Sequence, residues 1–345
     1  MKLLLLLMLI VHVGSSSGND EEDHNKDAHN ALCDILHAVV AMSKSSTVSD
    51  TLRKALHRTI FGNESGGQVG DLKNKLLGYY QLENRYSSRP FLCAQPSQEK
   101  VNSKEHHPLW PGHSAPHDMV CLCTLGDGGW PLRGTDAGKK KLCGKQGDQL
   151  GLDIGKQGWG YQVKEGEKQI QATWTNVVDE CLQGTDKGTK LKDSLKTFIE
   201  KLGTVNSEAN TYKVLGESGS GDYPCSGSKM QGVCVKYYPE EQNAIPWWME
   251  LQNAIKTEEE ETEKQSKEEK RKQQEEKQRK AQNQEDSQPQ YAPRTAALKS
   301  AKQEKQEVEQ TNPENISATL TTLEETSGTL IIPPSSWLLS TFLLI

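Results

Sequence analysis

The chain has 345 residues, 34% of them hydrophobic and 6% aromatic, with a net charge of -6. That composition fits one sizeable folded domain plus sequence too polar to bury. The acidic balance, with basic residues interspersed rather than gathered on a face, supplies no field for phosphate and argues against nucleic acid as a partner.

Met1-Lys2 is followed by an apolar run from Leu3 to Val13 and then by Gly14-Ser-Ser-Ser-Gly18, the layout of a cleaved secretory signal, which we place at residues 1–16. The run is too short to span a hydrocarbon core, which takes about 20 residues.

The folded part begins with a helical seam. Ala28, Leu32, Ile35, Val39 and Met42 alternate gaps of four and three, and after the polar stretch Ser43 to Thr47 the pattern resumes at Val48, Leu52, Ala55, Leu56 and Ile60. It stops at Gly62, a natural residue just past a helix. Joined into one helix, the two runs would make a rod about 50 Å long. Asn63-Glu-Ser65 then forms an N-glycosylation sequon in a glycine-containing turn, and Leu72, Leu76, Tyr79, Tyr80 and Leu82 predict a further short helix.

From Cys93 to Tyr161 the helical period disappears and Gly and Pro become dense, which predicts an irregular lobe inserted at the end or flank of the helices. A loop this long needs crosslinks. The secretory signal makes the even count of eight cysteines (Cys33, Cys93, Cys121, Cys123, Cys143, Cys181, Cys225 and Cys234) read as disulfides, with 105 possible pairings. Cys225 with Cys234, across a short Gly-containing loop, is the best candidate pair.

The lobe also holds the most metal-like cluster, His106-His107, His113 and His117 before Cys121 and Cys123, since H-x3-H is a ligand spacing. Pro116 would disrupt a ligand-bearing helix, and disulfides would consume the cysteines, so a polar histidine-rich loop is the better reading. Other resemblances to catalytic motifs fail: Gly216-Glu-Ser218 lacks the second glycine of a nucleophile elbow, and Gly138-Lys139 is followed by Lys140, not by the Ser or Thr of a phosphate loop. The expectation is no enzyme, no cofactor and no metal.

Ile170, Trp174, Val177 and Cys181, and then Leu191, Leu195, Phe198 and Leu202, give two more helical stripes. Val233, Val235, Tyr237 and Tyr238 predict a short strand, and Pro246-Trp247-Trp248 opens a final helix whose tryptophans anchor it to the bundle. From Thr257 the chain is almost entirely Glu, Lys, Gln and Arg and cannot build a core. Pairs such as Glu260 with Lys264, Glu263 with Lys267, Glu268 with Lys272 and Glu276 with Lys280 lend transient helix about 0.2–0.5 kcal/mol each. Asn315 heads a second sequon. Ser327-Gly328, a short spacer and the apolar tail Trp337 to Ile345 match the signal exchanged for a glycosylphosphatidylinositol anchor, with Ser327, or else Gly328, as attachment site.

This order of parts resembles that of trypanosome variant surface glycoproteins. Specific stretches carry the likeness: Ala31-Leu-Cys-Asp-Ile-Leu36, Leu56-His-Arg-Thr-Ile-Phe-Gly-Asn-Glu-Ser65, His113-Ser-Ala-Pro-His-Asp118 leading into Cys121-Leu-Cys-Thr124, Gly129-Trp-Pro-Leu132 and Pro246-Trp-Trp248 are similar to the B-type amino-terminal domain. The resemblance covers Ala28 to Ile255. It implies a homodimer of long helical hairpins packed into a dense surface coat, met by host antibodies, with no cofactor and no catalysis. One departure is that no cysteine follows Cys234, which leaves a charged spacer where many members carry a small cysteine-rich domain.

The expected protein is mainly α: an elongated antiparallel helical bundle or coiled coil with a Gly-rich, disulfide-tied lobe. Residues 19–255 form this domain, 256–327 a charged, disordered or partly helical spacer, and 328–345 the removed anchor signal. The expected function is a lipid-anchored, antigenically variable coat. The alternative is an anchored receptor for a host ligand on the same scaffold, with a secreted or anchored hydrolase using His117 or the other loop histidines as a third reading.

Overall fold

The structure, a computed structural model, describes residues 22–81, 87–96, 109–133, 137–153, 158–162, 165–183, 190–206, 211–219, 224–241 and 244–285. Residues 1–283 form one compact unit. Of the second unit, 284–345, only the helical residues 284 and 285 are described. The secretory signal, Asn315, Ser327, Gly328 and the apolar tail therefore lie outside the described residues, as do His106 and His107.

The first seam folds as two helices, α1 (Lys26–Ser43) and α2 (Asp50–Phe61), which pack on each other. The 50 Å rod is thus replaced by a helical pair. The break lies in the polar linker, where the Ser49 side chain accepts a hydrogen bond from Leu52 N–H (3.2 Å) and caps a new helix start, a stronger local signal than continuation through Ser43 to Thr47. Gly62 ends α2 in the left-handed conformation (φ 73°). Leu32, Ile35, Leu36 and Val39 are fully buried, each contributing roughly 1.5–3 kcal/mol of hydrophobic stabilisation.

Next come α3 (Val69–Tyr80), the short α4 (Arg89–Ala94) and α5 (Ala115–Cys123). The remaining helices are α6 (Glu167–Thr173), running through a π-helical turn (Trp174–Val178) into α7 (Asp179–Leu182), then α8 (Leu191–Glu200) and the 39-residue α9 (Trp247–Glu285). Two short strands, β1 (Glu22–His24) and β2 (Lys140–Leu142), pair in parallel, while β3 (Gly203–Asn206), β4 (Thr211–Ser218) and β5 (Gly232–Tyr237) form an antiparallel sheet in that order. Only β5 was expected from the sequence.

The cysteine-rich stretch is not a lobe hung on the helices. Every residue of α5 is buried, and α5 touches α1, α2, α4, α6, the π-helical turn and β5, so the stretch expected to be peripheral supplies the central helix. Pro116 does not disrupt it. The proline sits in the first turn, where its missing N–H is not needed, and Ser114 caps the start by accepting from His117 N–H (3.3 Å). Disulfides join Cys33 to Cys181, Cys93 to Cys121, Cys123 to Cys143 and Cys225 to Cys234, which uses all eight cysteines.

The expected boundary at residue 255 falls inside α9. Trp247, Trp248, Leu251 and Ala254 bury the helix against the domain, and contacts continue past the boundary: Glu258 accepts from Ser49 N–H (3.4 Å), and Lys192 pairs with Glu259 (2.6 Å). Beyond them the helix runs unbroken to Glu285 and is exposed from residue 259 to 280, with Glu263–Lys267, Glu268–Lys272 and Glu276–Lys280 ion pairs at 2.7–2.8 Å along it. Such pairs stabilise the helix weakly and without tertiary help. Limited trypsin should therefore cut first in the exposed turns from Lys264 onward and leave a core that keeps its helical circular dichroism. Primary cleavage inside 22–254 on mass analysis would contradict this reading.

Candidate functional site

The centre of the domain is polar where α5 meets the sheet and the start of α9. Asp118 lies on α5 immediately before the apolar run Met-Val-Cys-Leu-Cys, and it is fully buried. Its Oδ2 accepts from Trp247 Nε1–H (2.7 Å) and Tyr237 Oη–H (3.0 Å), and its Oδ1 from Gly112 N–H (2.8 Å). Gly112 in turn accepts at its carbonyl from Trp247 N–H (2.9 Å). One carboxyl thus binds together α5, the 109–113 turn, β5 and the first turn of α9. Burial outweighs the three donors and pushes the Asp118 carboxyl up to about 7.

Arg89, at the start of α4, is buried completely, and no described carboxylate pairs with it. Its guanidinium donates to the carbonyls of Cys225 (3.2 Å), Thr124 (2.9 Å), Trp159 (3.5 Å) and Cys121, and it lies over the Trp159 ring. The planar five-donor fork suits this task. Burial lowers its pKa to about 9. Asn25, in the left-handed conformation just before α1, donates through Nδ2 to the carbonyls of Leu122 (2.9 Å) and Val233 (2.7 Å) and accepts at Oδ1 from Glu217 N–H (2.8 Å). Gly216 beside it holds a φ of 91°, in which a residue with a Cβ would be strained. Backbone carbonyls dominate both lists, so these side chains complete the hydrogen bonding of irregular buried chain rather than facing a substrate.

Of the histidines read as possible ligands, the two described ones, His113 and His117, are engaged in other contacts. His117 is buried between Tyr80 Oη (2.6 Å) and the Leu92 carbonyl (2.9 Å), while His113 packs edge-on against Trp110 and covers Gly62. Cys121 and Cys123 are in disulfides. Asn63 is partly exposed in the turn after α2, with Glu64 and Ser65 exposed beside it, so its sequon faces solvent. Among the described residues no helix is long and apolar enough to cross a membrane.

Asp118, Arg89 and Asn25 were not singled out from the sequence for these roles. A carboxylate directly abutting the apolar run Met119 to Cys123 was the one local sign of a buried, bonded charge, but nothing local named its partners.

A family model described as a trypanosomal VSG domain matches residues 38–277, well over half of the chain. The chain belongs to that family. No curated protein matches it. The VSG domain is the fold of trypanosome variant surface coat proteins, a structural and not an enzymatic family. Within the VSG domain matched here, the limits fall inside α1 and inside the exposed part of α9, so the family match includes charged helix beyond residue 255. The buried polar centre is accordingly the scaffold of a coat protein. Through Asp118 and Gly112 it bonds the first turn of α9 to the core.

Proposed function

We propose that the protein is a glycosylphosphatidylinositol-anchored variant surface glycoprotein that forms a dense coat on the outer face of the trypanosome plasma membrane. The match of the VSG domain over residues 38–277 carries this reading. The domain is an elongated, disulfide-stabilised helical bundle that pairs as a homodimer, and Ser327, or the adjacent Gly328, receives the anchor after removal of the apolar tail. Residues 19–255 supply the coat, and 256–327 the spacer. The part of α9 from residue 260 to 285 contributes about 40 Å of semi-rigid helix to that spacer.

The action is steric. Domains packed side by side keep host antibodies and other large molecules from the membrane, and only outward loops and glycans at Asn63 and Asn315 are readily seen. Changing those exposed residues costs little stability, so antigenic identity varies on a constant core. No cofactor or nucleic acid takes part.

Treatment of intact cells with a phosphatidylinositol-specific phospholipase is expected to release the protein as an abundant surface species. Its carboxyl-terminal peptide should end at Ser327 or Gly328. A mature chain still containing Trp337, or one that is only a trace surface component, would rule out this assignment.

A further inference from the structure

Of the eight cysteines, seven are buried, and only Cys33 is partly open to solvent. Its disulfide to Cys181 joins α1 to α7, and imidazoles flank both sulfurs. His29 Nε2 lies 3.9 Å from Cys181 Sγ, and His37 Nε2 lies 3.8 Å from Cys33 Sγ. His29, Cys33 and Cys181 offer three donor atoms within 4.8 Å of one another. His29 and Cys33 are four residues apart on one helix face, and Cys181 approaches from the other side. Donors around a tetrahedral zinc ion stand about 3.5 Å apart, so separating the two sulfurs is the one rearrangement needed.

We propose that reduction of the Cys33–Cys181 disulfide creates a metal site for a borderline-soft divalent cation of the Zn2+ class, ligated by His29 Nε2 and the two thiolates, with water in the fourth position. A dithiol reductant transfers two electrons: the protein S–S bond breaks, two protein thiols form, and the reductant closes to its own disulfide. Binding of the cation then releases the two thiol protons. His29 Nδ1 is engaged by Asn30 Oδ1 (3.3 Å), which turns Nε2 towards the sulfurs. His37 stays outside the site, because its Nε2 is already 3.3 Å from the Glu180 carbonyl.

Cys121 makes an instructive contrast. His117 Nε2 is also 3.8 Å from its sulfur, but both nitrogens of that ring are taken and the disulfide is wholly buried. The metal would close the same link between α1 and α7 that the disulfide closes, so the domain keeps its topology in either redox state.

The test is limited reduction of the full chain with dithiothreitol and removal of reductant without air, after which one aliquot is differentially alkylated to locate the thiols and a second, left unalkylated, is titrated with Co2+ and Zn2+. Cys33 and Cys181 should be alkylated before any other cysteine. Co2+ should then give the visible bands of tetrahedral thiolate ligation at one equivalent, displaced by Zn2+, while oxidised protein gives none. In H29A the same thiols should appear and affinity should fall about tenfold or more, with H37A unchanged. Far-UV circular dichroism of each reduced sample establishes that the comparison is between folded chains. Reduction beginning at another disulfide, no cobalt bands in folded reduced protein, or equal affinity in H29A would each overturn the proposal.

Discussion

Replacing Arg89 with alanine is expected to destabilise the domain by about 3–5 kcal/mol, a large part of the 5–15 kcal/mol typical of a folded domain. The side chain is fully buried and donates to the carbonyls of Cys121, Thr124, Trp159 and Cys225, so truncation leaves four acceptors facing a cavity beside Trp159. Lysine should recover only a minor part of the loss. A single ammonium cannot reproduce a fork whose bonds spread over α5, the chain at 159 and the disulfide loop before β5. Guanidinium unfolding monitored by circular dichroism measures both changes. A loss under 1 kcal/mol in R89A would show that water or rearranged backbone replaces the guanidinium.

Asp118→Ala should cost about 3 kcal/mol, because Trp247 Nε1–H, Tyr237 Oη–H and Gly112 N–H are left in the interior with no acceptor. The same carboxyl predicts a pH dependence of definite sign. Its folded pKa, about 7, lies above the unfolded value of about 3.9, so the folded state favours the protonated form. The stability it contributes is therefore fully present below about pH 4, declines as pH rises to about 7, and is constant above that. A shift of about three units corresponds to an order of 4 kcal/mol across the window. The difference in unfolding free energy between wild type and Asp118→Asn, which cannot ionise, should trace that slope between pH 4 and 7. A flat difference would mean that the three donors hold Asp118 ionised throughout. Because Trp247 is bound to this carboxyl, hydrogen exchange in the first turn of α9 should quicken in D118A more than in α2.

The sequence was most readable where structure is decided by neighbours. The four-and-three spacing of apolar residues located α1, α2 and the stripes of α6, α7 and α8, Gly62 marked the end of α2, and Pro246 marked the start of α9. It was least readable in 93–161, where glycine and proline density hid a nine-residue helix. In α5 every position is buried, so no polar face produces a period, and Pro116 reads as a breaker unless Ser114 is recognised as a cap. The pairing of β3 with β4 was equally hidden, since short strands are fixed by cross-strand neighbours more than by intrinsic preference.

Residues 257–285 set these two kinds of information against each other. Their lack of apolar side chains correctly excludes them from a core, yet it does not forbid a helix, because i,i+4 ion pairs act within the segment itself. Sequence alone thus determined which segments carry helical stripes, that an even set of cysteines is available for bonding, and that residues 257–312 hold too few apolar side chains to build a core. Tertiary structure alone decided that Cys33 meets Cys181 across 148 residues, that Asp118 meets Trp247 across 129, and that α5 lies at the centre. The physical reason is range: helix periodicity and caps are written within a few residues, whereas a disulfide partner or an acceptor for a buried donor is whatever the completed packing brings within bonding distance.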